Sequence, residues 1–181
     1  METYGKILII AMPLFLLLVL FEKWYGWKKG LETVHTLDMI SSLSSGVTNS
    51  TKDVLGISIA IISYGWLVEH LAIIHIQSSI LLYVIAFIAL DFAGYWTHRL
   101  AHSVNFFWNN HLVHHSSEEF NLACALRQSI SVFFRIYAFL LLPAAILGVP
   151  QSVIAIVAPL HLFAQFWYHT RHIKTMGWLE H

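Results

Sequence analysis

Charge is scarce in this chain. Asp, Glu, Lys and Arg make up 11% of its 181 residues, where soluble domains carry about 25%. That excludes an ordinary water-exposed globule. Cysteine is nearly absent as well: Cys124, the single one, rules out an internal disulfide framework and any cysteine-based zinc site. Positive charge is not in excess, because 10 Lys and Arg balance 10 Asp and Glu, so nothing points to nucleic acid. Internal repeats and low-complexity tails are missing too. The N-terminal apolar run from Ile7 to Phe21 follows one lysine, Lys6, and no small-x-small cleavage site comes after it. Bulky Trp24, Tyr25 and Trp27 stand there instead, so the run is expected to be a retained span with an aromatic and lysine anchor.

What is present is apolar. Hydrophobic residues make up 57% of the chain and mean hydropathy is +0.67, the values of an integral membrane protein. A hydrocarbon core about 30 Å thick needs roughly 20 helical residues. Residues 4–22, 54–75, 79–97, 130–148 and 151–169 approach that length. The middle pair is interrupted near Gln77-Ser78-Ser79, the last pair turns at Gly148-Val149-Pro150, and Arg135 interrupts the fourth segment. Residues 30–53 are serine-rich and read as a surface helix or loop. The expectation is an all-α membrane protein of four to five transmembrane or re-entrant helices. Residues 1–84 form its N-terminal transmembrane region. Lys23, Lys28, Lys29, Lys52, Arg99, Arg127, Arg135, Arg171 and Lys174 fall at one set of segment ends, and the turns at 76–79 and 148–151 carry none. By the positive-inside rule that set is cytoplasmic.

Histidine is the outlier, with 12 in a chain poor in other polar groups, and ionisable residues near a bilayer tend to mark function. His98 and His102 are four apart, on one face of a helix that also carries Asp91 and Tyr95. Asp91 is placed to hold an imidazole N–H and fix its tautomer. His111, His114 and His115 follow at helical i, i+3 and i+4 spacing, and the adjacent pair diverges by about 100°. Such a pair can serve two metals. His169 closes the last apolar segment at the same membrane face. Imidazole ligation suits Fe, Zn, Cu or Ni, and this set exceeds what one zinc uses, so a dinuclear iron centre is the better match. His161 and His172 are further candidate ligands, whereas His35, His70 and His75 read as ordinary core or interface histidines. Glu118, Asn121 and Arg127 follow the second box, where they line a substrate entrance or simply form a solvated loop and helix start.

These residues carry a family likeness. The stretch from Asp91 to His102, with Phe107-Trp-Asn-Asn-His111-Leu-Val-His114-His115-Ser-Ser-Glu118, resembles the fatty acid hydroxylase/sterol desaturase superfamily. The segments Asn121-Leu-Ala-Cys-Ala-Leu-Arg-Gln-Ser129, Gln165-Phe-Trp-Tyr-His169-Thr and Ile173-Lys-Thr-Met-Gly-Trp-Leu-Glu180 resemble its alkylglycerol monooxygenase-like branch. The likeness covers roughly residues 85–180, read as a hydroxylase/desaturase-like domain over 85–181 that is incomplete at its C-terminus. It implies a membrane enzyme with two Fe ions held by histidine boxes. Such enzymes use O2 and two electrons to hydroxylate or desaturate a lipid or sterol. By position it assigns His98, His102, His111, His114, His115 and His169 as metal ligands. The electron donor it implies is reduced pterin, cytochrome b5 or ferredoxin. The implied location is a bacterial inner membrane or the endoplasmic reticulum, with the site facing the cytoplasm. Two departures stand out. The family's third H-x-x-H-H box comes after the Gly-Trp-Leu-Glu segment, and this chain ends at His181 ahead of it, which implies a truncated member. Ser103 follows His102 where the alkylglycerol monooxygenases have Glu, which leaves an ether-lipid substrate unsupported.

Three other readings compete. A bis-histidine haem-binding electron carrier needs single histidines opposed across a bundle. A metal transporter needs ligands along a mid-span path. An inactive fragment of the enzyme family would keep the boxes without the activity.

Overall fold

The computed structural model describes residues 2–55, 59–60, 63–76, 79–130, 134–135 and 137–180. Its helices are α1 (Glu2–Lys28), α2 (Thr36–Val54), α3 (Tyr64–Leu71), α4 (Ile80–Ser103), α5 (Asn105–His115), α6 (Tyr137–Leu140), α7 (Leu142–Ile146) and α8 (Gln151–Phe166). Short 3₁₀ turns cover Cys124–Leu126, Trp167–His169 and Gly177–Glu180. A two-residue parallel pairing joins Ile59–Ala60 to Phe134–Arg135; everything else regular is helical.

Among the described residues, two helices are long and apolar enough to cross a membrane, Ile10–Lys28 and Ile80–Ser103. Both arise from unbroken apolar runs. In α4 no charge occurs between Ile80 and Leu90, and its 24 residues span roughly 36 Å at the α-helical rise. The other apolar stretches are divided more finely than their hydropathy predicts. Within 54–75, Ser63 caps a fresh helix by accepting a hydrogen bond from the Trp66 amide (3.2 Å), and α3 lasts eight residues. Within 130–148, α6 stops at Leu140 and α7 starts again with Pro143 in its first turn, where a missing N–H costs nothing. Parts of both stretches, the expected turn at Gln77-Ser78, the Arg135 side chain and His181 lie outside what is described. The serine-rich stretch resolves into α2.

The chain forms two compact units. One comprises Met1–Val54, His111–Ile130 and Phe163–His181; the other comprises Leu55–Asn110 and Ser131–Leu162. The second unit packs around Tyr64, Leu67, Leu82, Ala86, Ala144, Ala145 and Val153. Fully buried alanines let α4 and the α7 segment approach closely, the usual means of helix packing in a membrane. The Tyr64 hydroxyl donates to the Val149 carbonyl at 2.8 Å inside this core, and the Ile73 amide donates to the Ile146 carbonyl at 2.9 Å.

The first unit packs Val19, Val34, Met39, Leu122, Ala123 and Phe166, with Phe15 edge-on to Phe166 at 4.7 Å. Buried polar groups tie it together. The Glu22 carboxylate accepts the Leu122 amide (2.7 Å) and the Thr170 hydroxyl (2.6 Å). The Asn121 side chain donates to the Thr33 carbonyl (2.9 Å) and accepts the Cys124 amide (3.0 Å). Buried polar groups are expensive unless bonded in this way.

Two glycines make a test of this packing. Both Gly148 and Gly30 have φ of +69°, but a β-carbon at Gly148 would lie 1.9 Å from the Ile74 carbonyl oxygen, while nothing lies within 4 Å at Gly30. Gly30→Ala should cost only the left-handed backbone term, about 1 kcal/mol. Gly148→Ala should cost at least about 3 kcal/mol, because strain and clash add. Thermal unfolding in detergent measures both, and equal losses would contradict this account of the turn.

Candidate metal centre

In the second unit, α4 carries His98 and His102 one helical turn apart at its polar end. Their ring centroids are 4.7 Å apart, and ligand nitrogens of the two come within 4.8 Å. Both rings are exposed, and Trp108 stands 5.4 Å from His102. Behind them Arg99 donates to the Tyr95 hydroxyl at 2.6 Å and lies over the Tyr95 and Trp96 rings. Tyr95 thus organises a cation. Asp91 does hold an imidazole, and the ring is that of His161 from α8, at 3.1 Å. His161 is buried, with Phe87 edge-on at 5.2 Å.

In the first unit, the last turn of α5 presents His111, His114 and His115. His111 and His115 bring their Nε2 atoms to 3.2 Å. Two imidazoles on one ion, with metal–nitrogen bonds of about 2.1 Å and angles from octahedral to tetrahedral, place their nitrogens about 3.0–3.4 Å apart. The pair therefore fits a shared metal. His114 stands beside both: its ring is stacked on His111 at 5.4 Å, nearly perpendicular to His115 (82°) at 5.3 Å, and edge-on to His169 at 5.3 Å. His169 in turn lies 5.2 Å from Phe120.

The tautomer of His114 follows from its partner. Nδ1 lies 3.2 Å from the Arg127 carbonyl oxygen, which can only accept, so Nδ1 carries the proton and Nε2 keeps its lone pair in the neutral ring. Burial, then the neighbouring His169, lowers the His114 pKa below the ordinary histidine value; the Arg127 carbonyl opposes this, His115 adds to it, and a backbone hydrogen bond to Cys124 opposes it again. A neutral ring with one fixed lone pair is what a metal ligand requires.

Arg127 is itself locked. All five of its N–H groups are engaged: Nε with the Ser42 hydroxyl (3.1 Å), one terminal nitrogen with the Ser116 carbonyl and hydroxyl (3.1 and 3.2 Å), and the other with the Asp38 carbonyl and carboxylate (3.1 and 2.5 Å). The second Asp38 oxygen accepts from Ser117 at 2.6 Å. Arg127 and Asp38 are each 8% exposed. Since Ser116 and Ser117 directly follow His115, the guanidinium and its carboxylate clamp the end of the histidine turn from α2.

The other sequence-selected residues divide. Glu118 lines an open cleft of about 530 Å³ with His35, Asp38, Ser116 and Arg127. Asn121 is wholly buried and serves the backbone described above, away from any entrance. His172 packs edge-on to Tyr25 at 5.0 Å and lies 3.4 Å from the Thr33 hydroxyl. Sequence reading passed over Asp38 and Glu22. Asp38 lies in the serine-rich stretch and Glu22 at the end of an apolar span, and an isolated acid in such a place was the available signal. Glu22 reaches the centre through Thr170, the residue after His169.

Residues 83–181 match the family model for fatty acid hydroxylase. Alkylglycerol monooxygenase of Homo sapiens is 37% identical over 172 residues, covering 94% of this chain and 38% of the relative. The Danio rerio alkylglycerol monooxygenase is 35% identical over 181 residues, 99% of this chain and 40% of the relative. That of Xenopus tropicalis is 32% identical over 171 residues. The chain thus spans about two-fifths of the length of the curated relatives it matches. No solved structure matches it.

Removing Asp38 leaves a buried guanidinium without its counter-charge, so Asp38→Ala should cost about 3–5 kcal/mol of stability. Asp38→Asn, which keeps shape and one acceptor, should lower Co(II) affinity about 10- to 100-fold by loosening His114. The visible absorption of bound Co(II) reports this, and an unchanged affinity would show that the clamp does not reach the ligands. Burial raises the thiol pKa of Cys124. It should therefore resist maleimide labelling in the folded protein at neutral pH and react once the chain is unfolded.

Proposed function

Because the chain belongs to the fatty acid hydroxylase family, we propose that it carries part of the histidine centre of a membrane-bound, O2-dependent lipid oxygenase of alkylglycerol monooxygenase type. The observation that carries this is the His114 ring, held neutral with its Nε2 lone pair available beside His111, His115 and His169. In this reading His98 and His102 supply ligands from α4, His111, His114 and His115 from α5, and His169 from the turn after α8. When bound, two iron ions supply the redox chemistry by which O2 and two electrons oxidise an unactivated C–H bond. Asp38 and Arg127 hold ring orientation, Glu22 and Thr170 fix the His169 turn, and Asp91 steadies His161. His161 and His172, with Tyr95 and Asn121, are assigned to support rather than ligation. Glu118 remains at the open cleft.

The substrate is a lipid or sterol drawn from the membrane, and the second substrate is O2. The electrons come from an external donor such as reduced pterin, cytochrome b5 or ferredoxin. Residues 1–84 act as membrane anchor and residues 85–181 as the hydroxylase region. The shorter apolar elements join the two long spans in a domain of four to five crossings. Its lysines and arginines from Lys23 onward and its histidine clusters lie on the cytoplasmic side of a bacterial inner membrane or the endoplasmic reticulum.

Fe(II) loading of the purified protein, read by elemental analysis, tests the ligand set. His98→Ala and His114→Ala should each lower retained iron severalfold, whereas His70→Ala should not. Incubation with ¹⁸O2, reductant and an alkylglycerol, a fatty acid or a sterol should give one labelled product by mass spectrometry. A Soret band in place of non-haem iron would overturn the reading.

A further inference from the structure

At the C-terminal end of α1 the chain reverses and runs back along the helix. Gly30 makes the turn, the Leu31 amide donates to the Gly26 carbonyl at 2.9 Å, and the Lys23 ammonium donates to the Val34 carbonyl at 2.7 Å and the Thr36 hydroxyl at 3.0 Å. Contact is close at Gly26, where a β-carbon would lie 2.5 Å from the Leu31 oxygen. Between helix and returning segment lies a groove of about 560 Å³. One wall is the stripe Leu20, Lys23, Trp24 and Trp27, spaced as a single helical face; the other is Gly30–Val34. Its apolar lining is uncovered, with Trp27 76% and Leu31 56% exposed.

We propose that this groove binds an anionic phospholipid, with an acyl chain along Leu20 and Trp24 and the phosphate at Lys23 and Lys28. Three observations select that occupant. First, the groove ends a helix long and apolar enough to cross a membrane, and only 17% of its apolar window is buried by the rest of the described residues, the exposure of a lipid-facing helix. Second, Trp24, Tyr25 and Trp27 are the ring types that settle at headgroup level, and Lys28 and Lys29 lie over Trp24 (5.3 Å) and Tyr25 (5.6 Å) at that level. Third, the charge is complementary. Lys23 lines the groove, Lys28 stands over its lining Trp24 and Lys29 adjoins it at the helix end, against one acid in the lining, Glu32, while Glu22 is buried in hydrogen bonds to Leu122 and Thr170. The two described bonds of Lys23 use two of its three N–H donors, which leaves one for a phosphate oxygen. This site is separate from the metal reading and stands without it.

The test is lipid retention by native mass spectrometry, with the full chain in mixed micelles of dioleoyl phosphatidylglycerol and dioleoyl phosphatidylcholine. Phosphatidylglycerol should be retained preferentially. Replacing both Lys28 and Lys29 by Gln should cut that preference about 25-fold, at roughly fivefold per lysine. Lys174→Gln, outside the groove, should leave it unchanged. Glu32→Gln should raise it severalfold, and this variant decides the matter if the double-lysine variant does not fold. Equal retention of the two lipids overturns the proposal, as does a Lys174→Gln effect matching that of the lysine pair, or an indifferent Glu32→Gln.

Discussion

The first unit depends on one buried ion pair. Arg127 and Asp38 come from segments 89 residues apart in sequence and meet largely buried, at the edge of the open cleft. Burying two charges is unfavourable unless every donor and acceptor finds a partner. Here the five guanidinium N–H groups and both carboxylate oxygens do. Full engagement makes the pair directional as well as tolerable. Arg127 can occupy one position only, and that position carries its own backbone carbonyl to His114. α2 therefore bears on the orientation of the His114 ring through Arg127.

Glu22 plays the corresponding part from α1. Its carboxylate takes the Leu122 amide and the Thr170 hydroxyl, so one acid fixes both the approach to the Cys124–Leu126 turn and the residue beside His169. The histidines of this unit are thus secured from two sides by carboxylates of the two N-terminal helices. A chain with so few charges buries two of its acids, Glu22 and Asp38, and through them the N-terminal helices bear on His114 and on the His169 turn.

Much of this was legible in the sequence, and the failures are instructive. The long apolar runs of α1 and α4 and the helical phase of His98–His102 and His111–His115 are local properties, so periodicity finds them. The division of 54–75 and 130–148 was not legible from hydropathy, because a Ser63 cap and a Pro143 restart alter backbone hydrogen bonding without altering apolarity. Arg127 was selected for lying near the boxes, but its role depends on Asp38, a partner that no local pattern names. Asp91 was given the right chemistry, while its imidazole proved to be His161, 70 residues away. Local spacing locates the histidine clusters; long-range polar pairing decides how their rings are held.

That division has a physical basis. An imidazole's χ2 torsion is broad, so apolar packing can seat a ring without choosing which nitrogen faces a metal. A hydrogen bond to a carbonyl chooses, since only one tautomer can donate to it. The carbonyl must then be immobile, and a backbone segment outside a long helix is immobile only if its own side chain is anchored. In this protein the anchor is a guanidinium whose donors are all used. Replacing the clamp by well-packed apolar residues could preserve stability and still lose the selection of the His114 nitrogen. The buried charge pair thus fixes which His114 nitrogen faces the Arg127 carbonyl as well as the packing around it.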